Sequence, residues 1–152
     1  MMGKIHYLQI REDIVAHAKL QVMADSKHDV YSITSDYSTM VKVIGKKPVA
    51  VLVKFLGFVS KEDESETSYG FTRDARYEVV FSAKALNDDA VDELLTKAIT
   101  DFEWYLCDHA PGYVFGSPLI EWAKVQSSHI AKSKSAGLIG WLVLTVRISE
   151  DT

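Results

Sequence analysis

At 152 residues, with 47% apolar and 25% charged side chains, the chain has the balance of one globular domain, and a domain of this size buries roughly 68–70% of its unfolded surface without needing a metal or disulfide. A net charge of -4 argues against general affinity for nucleic acid, which requires a basic face. Cys107 is the lone cysteine, which excludes an internal disulfide and fits a reducing compartment; Met1-Met2-Gly3-Lys4-Ile5-His6 lacks the apolar core of a secretory leader, and the longest apolar run, 138–146, is too short to cross a bilayer as a helix, so a soluble protein made in a cytosol is expected.

Residues 5–24 predict a helix. Ile10, Ile14, Ala18 and Val22 fall four apart, flanked by Tyr7, Val15 and Met23, while Arg11, Glu12, Lys19 and Gln21 can face water. Asp25-Ser26-Lys27-His28-Asp29 breaks the pattern. Val30, Tyr31 and Ile33 suggest a short strand, and Ser35-Asp36-Tyr37-Ser38 the cap of a short helix or turn ending at Gly45.

Pro48 opens a strand over 49–59. Val49, Val51, Val53 and Phe55 share one face; Ala50, Leu52 and Leu56 add apolar character to the other, the pattern of a strand covered on both sides. Gly57 marks a bulge or bend. Residues 60–72 form a polar connection that carries Glu62, Asp63, Glu64 and Glu66. Ala75, Tyr77, Val79 and Phe81 then alternate with Arg76, Glu78 and Ser82, a half-buried strand over 73–83.

Asn87 is a natural N-cap, and Asp88, Asp89 and Asp92 load the first turn of a helix with the negative charge its dipole favours. Val91, Leu94, Leu95, Ala98, Ile99, Phe102 and Leu106 give this helix, 87–108, a broad apolar face, and Ala110-Pro111-Gly112 ends it. After a loop with Tyr113, Val114 and Phe115, two strands, 119–130 and 137–148, flank a small basic connection, 131–136. Trp122 and Trp141 are candidates for a cross-strand or same-face aromatic contact. The order predicts a single α+β domain over 1–152: an antiparallel or mixed sheet of two long hairpins, two helices packed on one face, and extended charged hairpin loops at 60–72 and 131–136.

Catalytic chemistry finds little support. His17 follows Asp13 at helical spacing and reads as a solvated helix pair. Cys107-Asp108-His109 lacks the paired spacing and ligand number of a structural zinc site and reads as a helix end. Neither Ser127-Ser128-His129 nor Gly116-Ser117-Pro118 is a nucleophile elbow, and Gly137-Leu138-Ile139-Gly140 is a strand start, not a phosphate cradle. No cofactor, metal ligand or catalytic residue is assigned. The informative features are instead an acidic segment (Glu62, Asp63, Glu64, Glu66), a basic set (Lys124, Lys132, Lys134) suited to an opposite-signed neighbour, and four aromatics (Tyr113, Phe115, Trp122, Trp141) suited to a core or a subunit interface.

The layout resembles the tail terminator proteins of long-tailed bacteriophages. The resemblance is carried by a helix at 5–24, central strands at 48–59 and 73–83, a second helix at 87–109 and a closing pair running from Ile120-Glu121-Trp122 to Val125 and through Gly140-Trp141-Leu142-Val143-Leu144-Thr145-Val146-Arg147-Ile148. It implies a non-enzymatic virion protein, assembled in the host cytoplasm. Such proteins form a ring, usually a hexamer, on the head-proximal end of the tail tube, end tube polymerisation and present the surface that meets the head connector or stopper protein. The implied partners are further copies of the chain, the tail tube protein and the connector, with DNA passing through without specific binding and no membrane involved. The acidic segment is then a lumen- or tube-facing candidate, since like charge repels phosphate. Another neck or tail-completion protein, a tail tube subunit, or a small-ligand-binding α+β module using the four aromatics would share this size and class.

Overall fold

The structure, a computed structural model, describes residues 7–25, 30–44, 46–61, 71–83, 88–107, 120–133 and 137–150. Its elements are α1 (Tyr7–Asp25), β1 (Tyr31–Thr34), α2 (Tyr37–Val43), β2 (Val49–Lys61), β3 (Phe71–Ala83), α3 (Asp88–Cys107), β4 (Ile120–Ser133) and β5 (Gly137–Glu150). The strands form one mixed sheet in the order β1-β2-β3-β5-β4; β1 pairs parallel with β2, and every other neighbour is antiparallel. The fold is α+β, with two long hairpins as the sequence predicts.

Strand alternation decides what each sheet face meets. Val49, Val51 and Val53 of β2, Ala75, Tyr77, Val79 and Phe81 of β3, and Leu142, Leu144, Val146 and Ile148 of β5 turn to one face and are buried beneath α1 and α3. The helices answer with Ile10, Ile14, Val15 and Ala18 from α1 and with Val91, Leu95, Ala98, Ile99, Phe102 and Leu106 from α3. Phe102 sits edge-on to both Phe81 and Tyr31, with ring centroids 5.0 and 6.0 Å away. Burying each such large apolar side chain contributes about 1.5–3 kcal/mol relative to leaving it in water. Gly140 of β5 lets α3 come close: a Cβ there would stand 3.1 Å from Ile99 Cδ1.

The second apolar face of β2 has its own cover. Ala50 and Leu52 pack against Met40 of α2, with Val43 and Val80 beside them. Thus a third, short helix lies on the face opposite α1 and α3. Asp36 caps it by accepting hydrogen bonds from the Ser38 amide and the Thr39 hydroxyl. Because α2 spans only the β1–β2 side, the strip formed by β3, β5 and β4 on that face has no helix over it among the described residues.

Both hairpins are longer than the sequence predicts. β2 runs to Lys61 and β3 starts at Phe71, leaving 62–70 as the connection rather than 60–72; β4 runs to Ser133, leaving 134–136 rather than 131–136.

Candidate interface surfaces

The β2–β3 arm is anchored by Tyr7, the first described residue of α1. Its ring stacks on Phe55 and on Phe58, with centroids 5.1 and 5.2 Å away. Those two residues would fall on opposite faces of a regular strand. The bulge between Phe55 and Gly57 makes Leu56 an extra residue and returns Phe58 to the helix side. Gly57 takes φ +118° there, a region that favours glycine. Arg73 donates to the Tyr7 hydroxyl at 2.9 Å and lies 4.5 Å from the Phe58 ring centroid, and the Tyr77 hydroxyl donates to the Tyr7 carbonyl at 2.8 Å. Burial pushes the Tyr77 hydroxyl above the ordinary phenol range.

This anchored arm ends in a free edge. β1 pairs with β2 only from Val49 to Leu52, so beyond Leu52 no described strand bonds to the outer side of β2. At that step lies a hollow of about 470 Å³, bordered by Leu8 and Arg11 of α1, Ser35 and Tyr37, and β2 residues through Phe55. Farther out, Leu56, Phe58 and Val59 are 48%, 44% and 46% exposed. An edge with exposed apolar side chains is a template for pairing with another chain.

The opposite edge of the sheet is β4. Its exposed described side chains are polar, Lys124, Gln126, Ser127, Ser128 and His129, while Ala123, Val125 and Ile130 turn to the core; bulges interrupt its pairing between Ile120 and Trp122 and between Val125 and Ser127. The two edges therefore differ in length, polarity and regularity.

On the open face, Arg147 of β5 forms a two-pronged ion pair with Asp74 of β3, Nε to Oδ1 at 2.8 Å and Nη2 to Oδ2 at 3.0 Å. Asp74 is 9% exposed. Beside the pair, Arg76, Thr145 and Lys124 stand across from one another on β3, β5 and β4, and the Thr145 hydroxyl donates to Gln126. These residues line an open depression of about 340 Å³. The sequence offered no sign of it, because the pair that anchors it comes from strands far apart in the chain.

The structure redistributes the residues singled out from sequence. Lys124 does not share a connection with Lys132 and Lys134: it lies mid-strand, opposite Thr145, whereas Lys132 is near the end of β4 opposite Leu138. In the strand register Trp122 stands opposite Arg147 and Trp141 opposite His129, so the two tryptophan positions are not paired across the strands; the Trp141 ring lies 4.8 Å from the His129 ring, on the open face. Glu62, Asp63, Glu64, Glu66, Lys134, Tyr113, Phe115 and His109 lie outside the described residues. His17 is placed 2.9 Å from the Tyr105 carbonyl, to which its Nε2 must donate, tying α1 to α3, while Asp13 accepts from Gln9. Among the described residues no cluster of three metal-ligating side chains occurs, and no helix is long and apolar enough to cross a membrane.

No known protein-family model matches the chain, and no curated protein matches it in sequence. Among solved structures, it is similar to a chain of the virion of a native gene transfer agent particle, at 14% identity over 95% of this chain and 94% of that one, with a TM-score of 0.47. It is also similar to a structure from Akkermansia muciniphila determined without its transmembrane region, at 9% identity over 100% and 90% of the two chains, with a TM-score of 0.34. At these TM-scores neither likeness carries a functional argument.

Proposed function

We propose that this chain is a structural virion protein that works as a ring, hexameric by the resemblance of its layout to tail terminators. The ring caps the head-proximal end of a phage tail tube, ends tube growth and joins the tail to the head connector. The observation that supports the reading is the pair of unlike edges of one sheet, neither bonded by a further strand among the described residues. A ring is a heterologous assembly: one surface of each copy meets a different surface of the next, and the contact closes when the rotation does. The apolar step along outer β2 and the bulged β4 with its polar exposed side chains provide two such surfaces at opposite edges of the same sheet. Catalysis has no part in this reading.

Native mass spectrometry across a concentration series, with electron microscopy of mixtures with tail tubes, tests it. The expected result is a closed ring in solution, or a monomer that closes into rings on tube ends. A chain that stays monomeric at every concentration and ignores tubes overturns the proposal.

A further inference from the structure

We infer that the outer face of α2 docks against the outer face of α3 on a second copy of this chain; the inference names the helices at the contact of the ring reading above and rests on it. Met40 turns inward from α2 onto Ala50 and Leu52, while Tyr37, Val41 and Ile44 follow one another at helical spacing along its outer side and are exposed, Tyr37 by 71%. Lys42 flanks this ridge, and the turn after α2 holds Lys46 and Lys47 at its end, where both amides donate to the Val43 carbonyl. None of the three lysines is ion-paired among the described residues, and the nearest carboxylate along the chain, Asp36, is engaged by Ser38 and Thr39 at the opposite end of the helix. An exposed apolar ridge rimmed by charge marks an interaction surface.

α3 carries the complement. Asp89, Asp92, Glu93 and Glu103 are exposed, fall within one outward arc of the helix and form no ion pair among the described residues; Lys97 on the same side is neutralised by Asp101 at 2.8 Å, and Trp104 adds a half-exposed ring. Within one copy the two faces point away from each other. α2 lies on β1 and β2 on one side of the sheet, and α3 lies on the other side, chiefly over β5 and β4. The sheet and two helix widths of about 10 Å each stand between the outward surfaces. A second copy brings them together, and both halves of the match are present in every copy. The contact continues the surfaces already described, because Tyr37 borders the hollow at the β2 step and α3 covers the β4 side. Joining unlike faces, it lets copies overlap in one direction around an axis, and the opposite charges set that direction.

Charge exchange, read by sedimentation, tests the inference. One variant carries Lys42→Glu, Lys46→Glu and Lys47→Glu; the other carries Asp92→Lys, Glu93→Lys and Glu103→Lys. Each alone should associate roughly tenfold or more weakly than the parent, with melting temperatures near the parent's as the check on folding. Mixed in equal amounts they should reassemble, because each α2 then meets an oppositely charged α3 of the other variant. Should either reversed form melt early, the neutral Lys42→Gln/Lys46→Gln/Lys47→Gln variant replaces it, with weakened association and loss of the parent's salt sensitivity expected. Variants that assemble like the parent overturn the helix contact while leaving the ring intact. A mixture that does not recover also overturns it, and is the outcome if the lysines engage some other acidic surface. A parent that forms no assembly, alone or on tube ends, removes the ring reading itself.

Discussion

Gly57 shows how much one backbone angle can carry. Its φ of +118° permits the extra residue Leu56, and that extra residue is what brings Phe55 and Phe58 onto the same ring of Tyr7. Among the described residues, its two chain neighbours aside, no atom lies within 4 Å of where a Cβ would stand, so the cost of a side chain there is conformational. Gly57→Ala should therefore destabilise the fold by about 1–3 kcal/mol, read by denaturant unfolding. The variant should also loosen α1 at its start, visible as faster amide exchange around Tyr7 and Leu8. The glycine itself was legible in the sequence as an interruption of a strand. Its purpose was not, because the partner it serves lies in another element, ahead of it in the chain. The Asp74–Arg147 pair was hidden for the same reason: nothing local marks two residues that meet only through the β3–β5 register.

At the scale of elements, the helices and strands were largely readable, since a period of two in 73–83 and a helical stripe in 87–108 each report the face that must be covered. The doubly apolar β2 was readable too, and α2 is its second cover. Register and the uncovered face were not, because periodicity says that a side is polar enough for water without saying what stands next to it. Trp141 illustrates this: it belongs to an apolar strand yet turns to the open side beside His129. The cap of α2 gives a pH test. Hydrogen bonds from Thr39 and Ser38 hold the Asp36 carboxyl below its ordinary value. A carboxyl depressed in the folded state contributes stability above its unfolded pKa and loses that contribution as pH falls through the folded value. Asp36→Ala should lower the melting temperature at neutral pH, and the gap from the parent should narrow as the solution is acidified below the usual carboxylate range. A gap that is constant down to strongly acidic pH would assign the loss to packing instead.

For the whole molecule, the unequal edges make a prediction that is independent of charge. A lysine on an exposed strand edge discourages pairing with another chain. Leu56→Lys with Val59→Lys places charge on the outer arm of β2, where both side chains are already about half exposed. The folded monomer should keep its melting temperature within a few degrees, while the proposed ring should fail to close, read as a smaller particle in light scattering. Full assembly by this variant would mean that copies meet elsewhere than along β2.

The strand order has a consequence in time as well as in space. β5 follows every other described strand in sequence, yet it lies inside the sheet, between β3 and β4. During synthesis, β3 therefore emerges with one flank lacking its partner, and that flank stays so until β5 leaves the ribosome and slots in beside it. Neither the ion pair of the open face nor the β4 rim exists before that moment. A chain cut short before β5 would present a long unprotected β3 border and drift toward aggregates.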